Sequence, residues 1–184
     1  GKVDKESVAG IFEALEYSQE GAFDPALERL NDVIRRHAGY APAYNSQGLI
    51  HERKNDPASA AADYEQALRA DPHYAFCRFN RGNLYYSQRA YDRAISEYTL
   101  AIQDIPGLVS AYNNRGLAWG QKGDYHKAVA DYSEAVARAP RFGGSRYNRA
   151  IAYCMMGEYT KAITDFTAVL AHNPDDPDAR GNRG

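Results

Sequence analysis

Cysteine is scarce in this chain, with two among 184 residues, and they lie far apart as Cys77 and Cys154. They form no Cys-x-x-Cys pair, and the five histidines (His37, His51, His73, His126 and His172) show no His-x₃-His spacing. The compact ligand spacings of zinc and redox centres are therefore missing, and neither a metal nor any other cofactor is expected. In the repeat register given below the two cysteines fall two units apart. That is too far to bridge between helices packed roughly 8–10 Å apart. They are read as free thiols, which leans toward a reducing, cytoplasmic compartment and leaves an exported form open.

Long apolar runs are missing as well. No stretch approaches the roughly 18 residues that a membrane-spanning helix needs, and the polar start GKVDKES carries no apolar signal core. Nor is charge of one sign in excess: 22 Lys and Arg against 24 Asp and Glu give a formal net charge of -2. No basic field exists to neutralise a phosphate backbone or an anionic bilayer, so neither nucleic acid nor membrane is an expected partner. Gly143-Gly144, at a helix start, lacks the strand and lysine of a phosphate loop. With no catalytic constellation to be found, the chain is expected not to be an enzyme.

What the chain has is repetition. The segment from Val109 to Phe142 aligns with the rest of the sequence when shifted by 34 residues in either direction, without an insertion. This register divides the chain into a polar N-terminal extension (1–6), five units (7–40, 41–74, 75–108, 109–142 and 143–176) and the first part of a sixth unit or capping helix (177–184). Each unit holds two helical patterns: Tyr112, Gly116 and Trp119 share one stripe, and Ala128, Tyr132 and Ala135 another. Gly123-Asp124 between them offers a glycine to end one helix and an acid to cap the next. Pro72, Pro106, Pro140 and Pro174 close the second helices, Ala38 being the exception.

Two places in the unit hold only small residues. The twentieth is Ala26, Ala60, Ala94, Ala128 and Ala162; the eighth is Ala14, Gly48, Gly82, Gly116, Ala150 and Gly184. Glycine inside a helix costs about 1 kcal/mol relative to alanine, so its recurrence predicts helices that cross closely. Large groups stand at the eleventh place (Tyr17, His51, Tyr85, Trp119, Tyr153) and the twenty-fourth (Leu30, Tyr64, Tyr98, Tyr132, Phe166). His51 is read there as a substitute for an aromatic core residue.

A 34-residue helix-turn-helix unit of this pattern resembles the tetratricopeptide repeat, over residues 7 to 184. The resemblance implies an all-α, right-handed solenoid in which first helices line a concave groove and second helices form the convex back. It also implies a protein-interaction scaffold that binds an extended peptide or a partner's helix. Two other readings stay open: the recognition segment of a longer enzyme, or a structural protein that assembles with its own copies through the C-terminal end.

The most visible ladder is Asn-Arg-Gly at 80–82, 114–116 and 182–184, with Asn148-Arg149-Ala150 as a variant. Sixteen residues after each of three arginines stands an acid: Glu97 after Arg81, Asp131 after Arg115 and Asp165 after Arg149. The first unit reverses the signs, with Glu13 and then Arg29, and the second has neutral Gln47 before Asp63. A reversal that keeps opposite charges at the same two sites predicts an ion pair joining the two helices of a unit. The arginines are therefore assigned to structure rather than to ligand.

One residue earlier, Asn80, Asn114, Asn148 and Asn182 lie about 100° around the helix. A side-chain amide donates and accepts, which suits the backbone of an extended peptide; hydrogen bonding between neighbouring first helices is the other reading. The candidate peptide-binding set is Asn45, Phe76, Phe79, Asn80, Asn83, Tyr86, Asn113, Asn114, Tyr147 and Asn148. Phe12, Leu15, Leu49, Leu117, Gln121 and Ile151 share the stripe, the leucines and Ile151 being equally readable as core. The resemblance also brings to mind the family's carboxylate clamp. Asn83 and Asn114 hold amide places of that motif, but Phe79, Gly144 and Asn148 stand where its cations belong, so no clamp is expected.

Overall fold

The computed structural model describes residues 5–172 and 180–182. Pro174, the boundary at 176/177 and Gly184 lie outside the described residues. Ten helices follow one another: α1 (Lys5–Gln19), α2 (Phe23–Arg36), α3 (Ala41–Arg53), α4 (Pro57–Ala70), α5 (Ala75–Ser87), α6 (Tyr91–Asp104), α7 (Val109–Gln121), α8 (Tyr125–Arg138), α9 (Gly143–Met155) and α10 (Tyr159–His172). Residues 180–182 are also helical, and the described residues contain no strand. The chain divides into two compact units, residues 1–84 and 85–184.

The turns within the pairs are built alike. The residue thirty-four apart at each turn has a positive φ: Gly21 (80°), Asn55 (59°), Arg89 (59°), Gly123 (80°) and Gly157 (76°). The next amide then reaches back over the helix end, as Asp56 N–H does to the His51 carbonyl (2.8 Å) and Asp124 N–H to that of Trp119 (3.0 Å). This satisfies a carbonyl that the helix end would otherwise leave bare. Asp56 and Asp124 then cap the following helices by accepting from the Ser59 and Lys127 amides, each at 3.1 Å. The side chains of Ser59 and Lys127, first of all, and then these amide bonds hold both carboxyls below the usual carboxylate range.

In the unit 1–84, one core gathers Ala14, Ala26, Leu30, Val33, Ala43 and Ile50, and a second Ala41, Ala60, Tyr64, Ala67, Cys77 and Leu84. In the unit 85–184, Ala128, Tyr132 and Ala152 form one cluster, and Ala150, Ala162, Phe166, Val169 and Leu170 another. All five alanines at the twentieth place are buried.

The eighth place explains itself through the twenty-fourth. A Cβ on Gly48 would stand 2.5 Å from the Tyr64 ring, and one on Gly116 2.7 Å from the Tyr132 ring. Where the partner is Leu30 or Phe166, alanine is tolerated as Ala14 or Ala150, both fully buried. The small residue is thus matched to a tyrosine ring.

The eleventh place departs from expectation. Tyr17 is exposed, while Trp119 and Tyr153 are only half-buried. In the unit 85–184 each of these rings sits beneath a cation eight residues on: Arg93 over Tyr85 at 5.7 Å, Lys127 over Trp119 at 4.2 Å and Lys161 over Tyr153 at 5.6 Å. Trp119 and Tyr153 still pack against their core clusters, from the rim rather than from the centre.

Candidate peptide-binding face

The arginine ladder is structural, and it ties three helices rather than two. Arg115 on α7 donates to Asp131 on α8 through Nε (2.8 Å) and Nη2 (2.6 Å), and through Nη1 to Thr99 Oγ1 on α6 (3.0 Å). Arg149 repeats the set from α9, with Asp165 at 2.7 and 2.8 Å and Ser133 Oγ at 3.1 Å. The hydroxyls pass the bond on: Thr99 donates to the Ile95 carbonyl and Ser133 to that of Val129, both at 2.7 Å. Forked, charge-assisted geometry of this kind is the strong form of the ion pair. The carboxylates hold both guanidiniums more basic than usual, despite burial acting the other way. The reversed pair is present as well, Arg29 Nε donating to Glu13 at 2.6 Å.

Sequence reasoning found the partner sixteen residues ahead and missed the one sixteen residues behind. The signal was there, since Thr99 precedes Arg115, and Ser133 precedes Arg149, by the same spacing. Gln47 shows the backward arm alone: it donates to Asn31 at 2.8 Å. Asp63, which Gln47 cannot neutralise, instead meets His51 Nδ1 at 2.7 Å. His51 is therefore not an aromatic stand-in in the core but the polar partner of Asp63. Burial raises the Asp63 pKa and the histidine opposes that.

The asparagines link neighbouring first helices. Asn80 Nδ2 on α5 donates to Asn45 on α3 at 2.9 Å, and Asn148 Nδ2 on α9 to Asn113 on α7 at 3.0 Å. Asn113 also accepts from Ser145 Oγ (3.0 Å) and donates to Asn114 (3.1 Å). Asn182 donates to the Tyr147 hydroxyl at 3.0 Å, across the same thirty-five residues. Of the candidate set in the first unit, Asn45 is buried, Phe79, Asn80 and Asn83 are half-buried, and Phe76 is exposed with its ring edge-on to Tyr74 at 6.3 Å. In the second, Tyr86, Asn113, Asn114, Tyr147 and Asn148 are half-buried; Tyr86 packs edge-on to Tyr91 at 5.5 Å and Tyr147 to Phe166 at 5.6 Å. Burial raises the Tyr86 pKa, keeping the phenol neutral.

The structure brings Tyr147 and Asn148 together at a cleft of about 610 Å³ in the unit 85–184. One wall is α7, through Leu117, Gly120 and Gln121; the opposite wall is α9, through Tyr147, Asn148, Ile151, Ala152 and Met155. Tyr125, Ala128 and Tyr132 of α8 complete the lining. No lining residue is charged, although charged residues make up 25% of the chain. Burial also raises the Tyr132 pKa, so that phenol stays protonated. Leu117, Gln121, Tyr147, Asn148 and Ile151 were named from sequence and reach the cleft; Tyr125, Ala128 and Tyr132 were not foreseen, because they come from the second helix of the pair.

Comparison with known proteins agrees with this architecture. Tetratricopeptide repeat models match residues 13–75, 45–109, 109–142 and 145–176, and the chain belongs to the tetratricopeptide repeat family. Among curated proteins it is 35% identical over 49 residues to the human "Tetratricopeptide repeat protein 6". That stretch covers 27% of this chain and only 9% of the human protein. The fold is that of the Pseudomonas aeruginosa pilF structure, with a TM-score of 0.85 and 22% identity over 92% of this chain and 77% of that one. It is also that of YrrB, described as a TPR protein with an unusual peptide-binding site, at a TM-score of 0.76 and 18% identity over 95% and 90% of the two chains. The fold class is an all-α tetratricopeptide solenoid, a scaffold for protein interaction.

Proposed function

We propose that this chain is a non-catalytic scaffold of five repeat units that holds an extended peptide of a partner protein along its first helices. The uncharged cleft between α7 and α9 carries the reading, because apolar walls with amide groups at hand suit a main chain bearing uncharged side chains. The side-chain amides of Asn80, Asn114 and Asn148 each donate and accept, which suits a peptide main chain. Phe76, Phe79, Tyr86 and Tyr147 are the aromatic anchors, with Asn45, Asn83 and Asn113 as further polar contacts. The peptide-binding site ascribed to YrrB lends support through likeness of fold.

The test is affinity capture of the partner from the native source, followed by titration of overlapping linear peptides from its sequence against the wild type and Asn148→Ala. One peptide, or two neighbours, should bind, and bind more weakly to the variant. Loss of the Asn113 bond should lower stability by only about 1 kcal/mol. If the folded partner binds and none of its linear peptides does, the extended-peptide reading falls.

A further inference from the structure

Two stretches of the chain carry charge of one sign only. Residues 6–28 hold six acids and no Lys or Arg, and residues 135–157 hold four arginines and no acid. In the first stretch Glu6, Glu13 and Asp24 are paired with Arg36, Arg29 and Lys54. Glu16, Glu20 and Glu28 are exposed and make no ion pair among the described residues. In the second, Glu134 holds Arg138 and Asp165 holds Arg149, which leaves Arg141, exposed, and Arg146, half-buried. The repeat supplies a control for Arg146. Arg78 has the same place two repeats earlier and donates through Nε (3.1 Å) and Nη2 (2.5 Å) to the Pro72 carbonyl. Pro140 stands where Pro72 does, yet Arg146 makes no such bond among the described residues, so the fold does not use its guanidinium.

Both sets also stand at the unfavourable end of a helix. A helix N-terminus is electropositive and a C-terminus electronegative. Arg141 and Arg146 nevertheless flank the start of α9, whose N-cap Phe142 offers no side-chain acceptor and whose first turn has no acid. Glu16 and Glu20 flank the end of α1, whose last turn has no base. An exposed aromatic lies beside each set: Phe142 (54% exposed) next to Arg141, and Phe12 (63%) one turn before Glu16.

We propose that these two patches bind each other between copies of the chain, the acids at the end of α1 in one copy meeting Arg141 and Arg146 of the next. Charge complementarity selects a second copy as the occupant, because each patch carries the charge that would relieve the helix end of the other. Exposed ion pairs contribute little by themselves. Phe12 and Phe142 supply apolar contact area, and the charges decide which patch meets which. Because the two surfaces differ, the contact is head-to-tail and continues from copy to copy unless a ring closes. Neither arginine lines the α7–α9 cleft, so this assembly is separate from peptide binding there.

Sedimentation equilibrium of the full chain reads the contact. In about 20 mM salt the weight-average mass should climb above 20.5 kDa as the concentration is raised to about 500 µM. At about 300 mM salt the association should weaken on the order of tenfold. Arg141→Glu with Arg146→Glu should be monomeric at low salt, and so should Glu16→Lys with Glu20→Lys. An equimolar mixture of these two variants should associate again, since every patch of one is then opposite in sign to every patch of the other; that recovery also shows that both variants fold. A wild type that stays monomeric at low salt overturns the proposal, and if its arginine patch then takes a poly-glutamate peptide, the surface belongs to a different acidic chain. Association of either variant alone at wild-type strength, or a mixture that stays monomeric, overturns the pairing of these two patches.

Discussion

The helix pairs α3–α4 and α7–α8 share the tight glycine–tyrosine contact, Gly48 on Tyr64 and Gly116 on Tyr132, but are locked by different charges. In α7–α8, Arg115 is forked onto Asp131, and both side chains are mostly buried, 19% and 8% exposed. In α3–α4 the arginine place holds Gln47, which turns to Asn31, and Asp63 relies on His51. One repeat frame thus accommodates two different locks, because the acid of the second helix is kept while its partner moves from the seventh place, as a forked guanidinium, to the eleventh, as a single imidazole contact.

The largest expected effect separates the two pairs by charge reversal. Arg115→Glu sets two acids against each other in a partly buried site and should cost about 3–5 kcal/mol in urea unfolding. Adding Asp131→Arg should recover part of that, though not the Thr99 bond. Strict additivity of the two changes would refute the pairing. His51→Ala, the matching change in α3–α4, should cost less, since it removes a single contact where Arg115 makes three hydrogen bonds.

Next come the glycines. Gly116→Ala drives a methyl group against the Tyr132 ring and should destabilise by about 1–3 kcal/mol. Coupling it with Tyr132→Leu, the combination found naturally at Ala14 and Leu30, should return part of the loss. A smaller gain is expected at the turns: Arg89 holds a positive φ that glycine adopts freely, so Arg89→Gly should raise stability by about 1 kcal/mol. A fall in the midpoint of thermal unfolding would contradict that.

The smallest effect is the pH response. Asp63 has a raised pKa, chiefly from burial, so above the ordinary carboxylate range the folded chain keeps a proton that the unfolded chain has lost. Glu52, also raised by burial, acts in the same direction. Stability from α3–α4 should therefore fall as pH rises through that window and recover as pH is lowered into it. Hydrogen exchange corrected for its intrinsic rate should show this slope in α3 and α4, reduced by Asp63→Asn; no such slope is expected in α7 and α8. An equal slope in both pairs would remove the distinction.

Much of this was legible in the sequence because the repeat supplies its own controls. The sign reversal between Glu13/Arg29 and Arg115/Asp131 revealed a pair before any coordinates, since only a contact explains a swap that keeps the sum. The alternation of Gly and Ala at the eighth place carried the packing in the same way, once set beside Tyr or Leu at the twenty-fourth. Bonding of the asparagines between first helices was one of the two readings, and what stayed hidden was which residues receive: Thr99 and Ser133 for the arginines, and Asn45 and Asn113 for Asn80 and Asn148. Those depend on how one helix pair is rotated against the next, and a register within one unit does not fix that rotation. The cleft was hidden for a like reason, as its wall combines residues of α7, α8 and α9 that no single helical stripe contains.

The division of labour between neighbours on α7 is the central claim: Arg115 holds the fold, and the cleft that Gly120 lines is proposed to hold the peptide. The most direct test measures thermal stability and partner-peptide affinity side by side for Arg115→Ala and Gly120→Leu. Arg115→Ala should lower the melting temperature and leave the affinity of the folded fraction unchanged, while Gly120→Leu should lose affinity at an unchanged or higher melting temperature. The opposite pairing of effects would contradict the account.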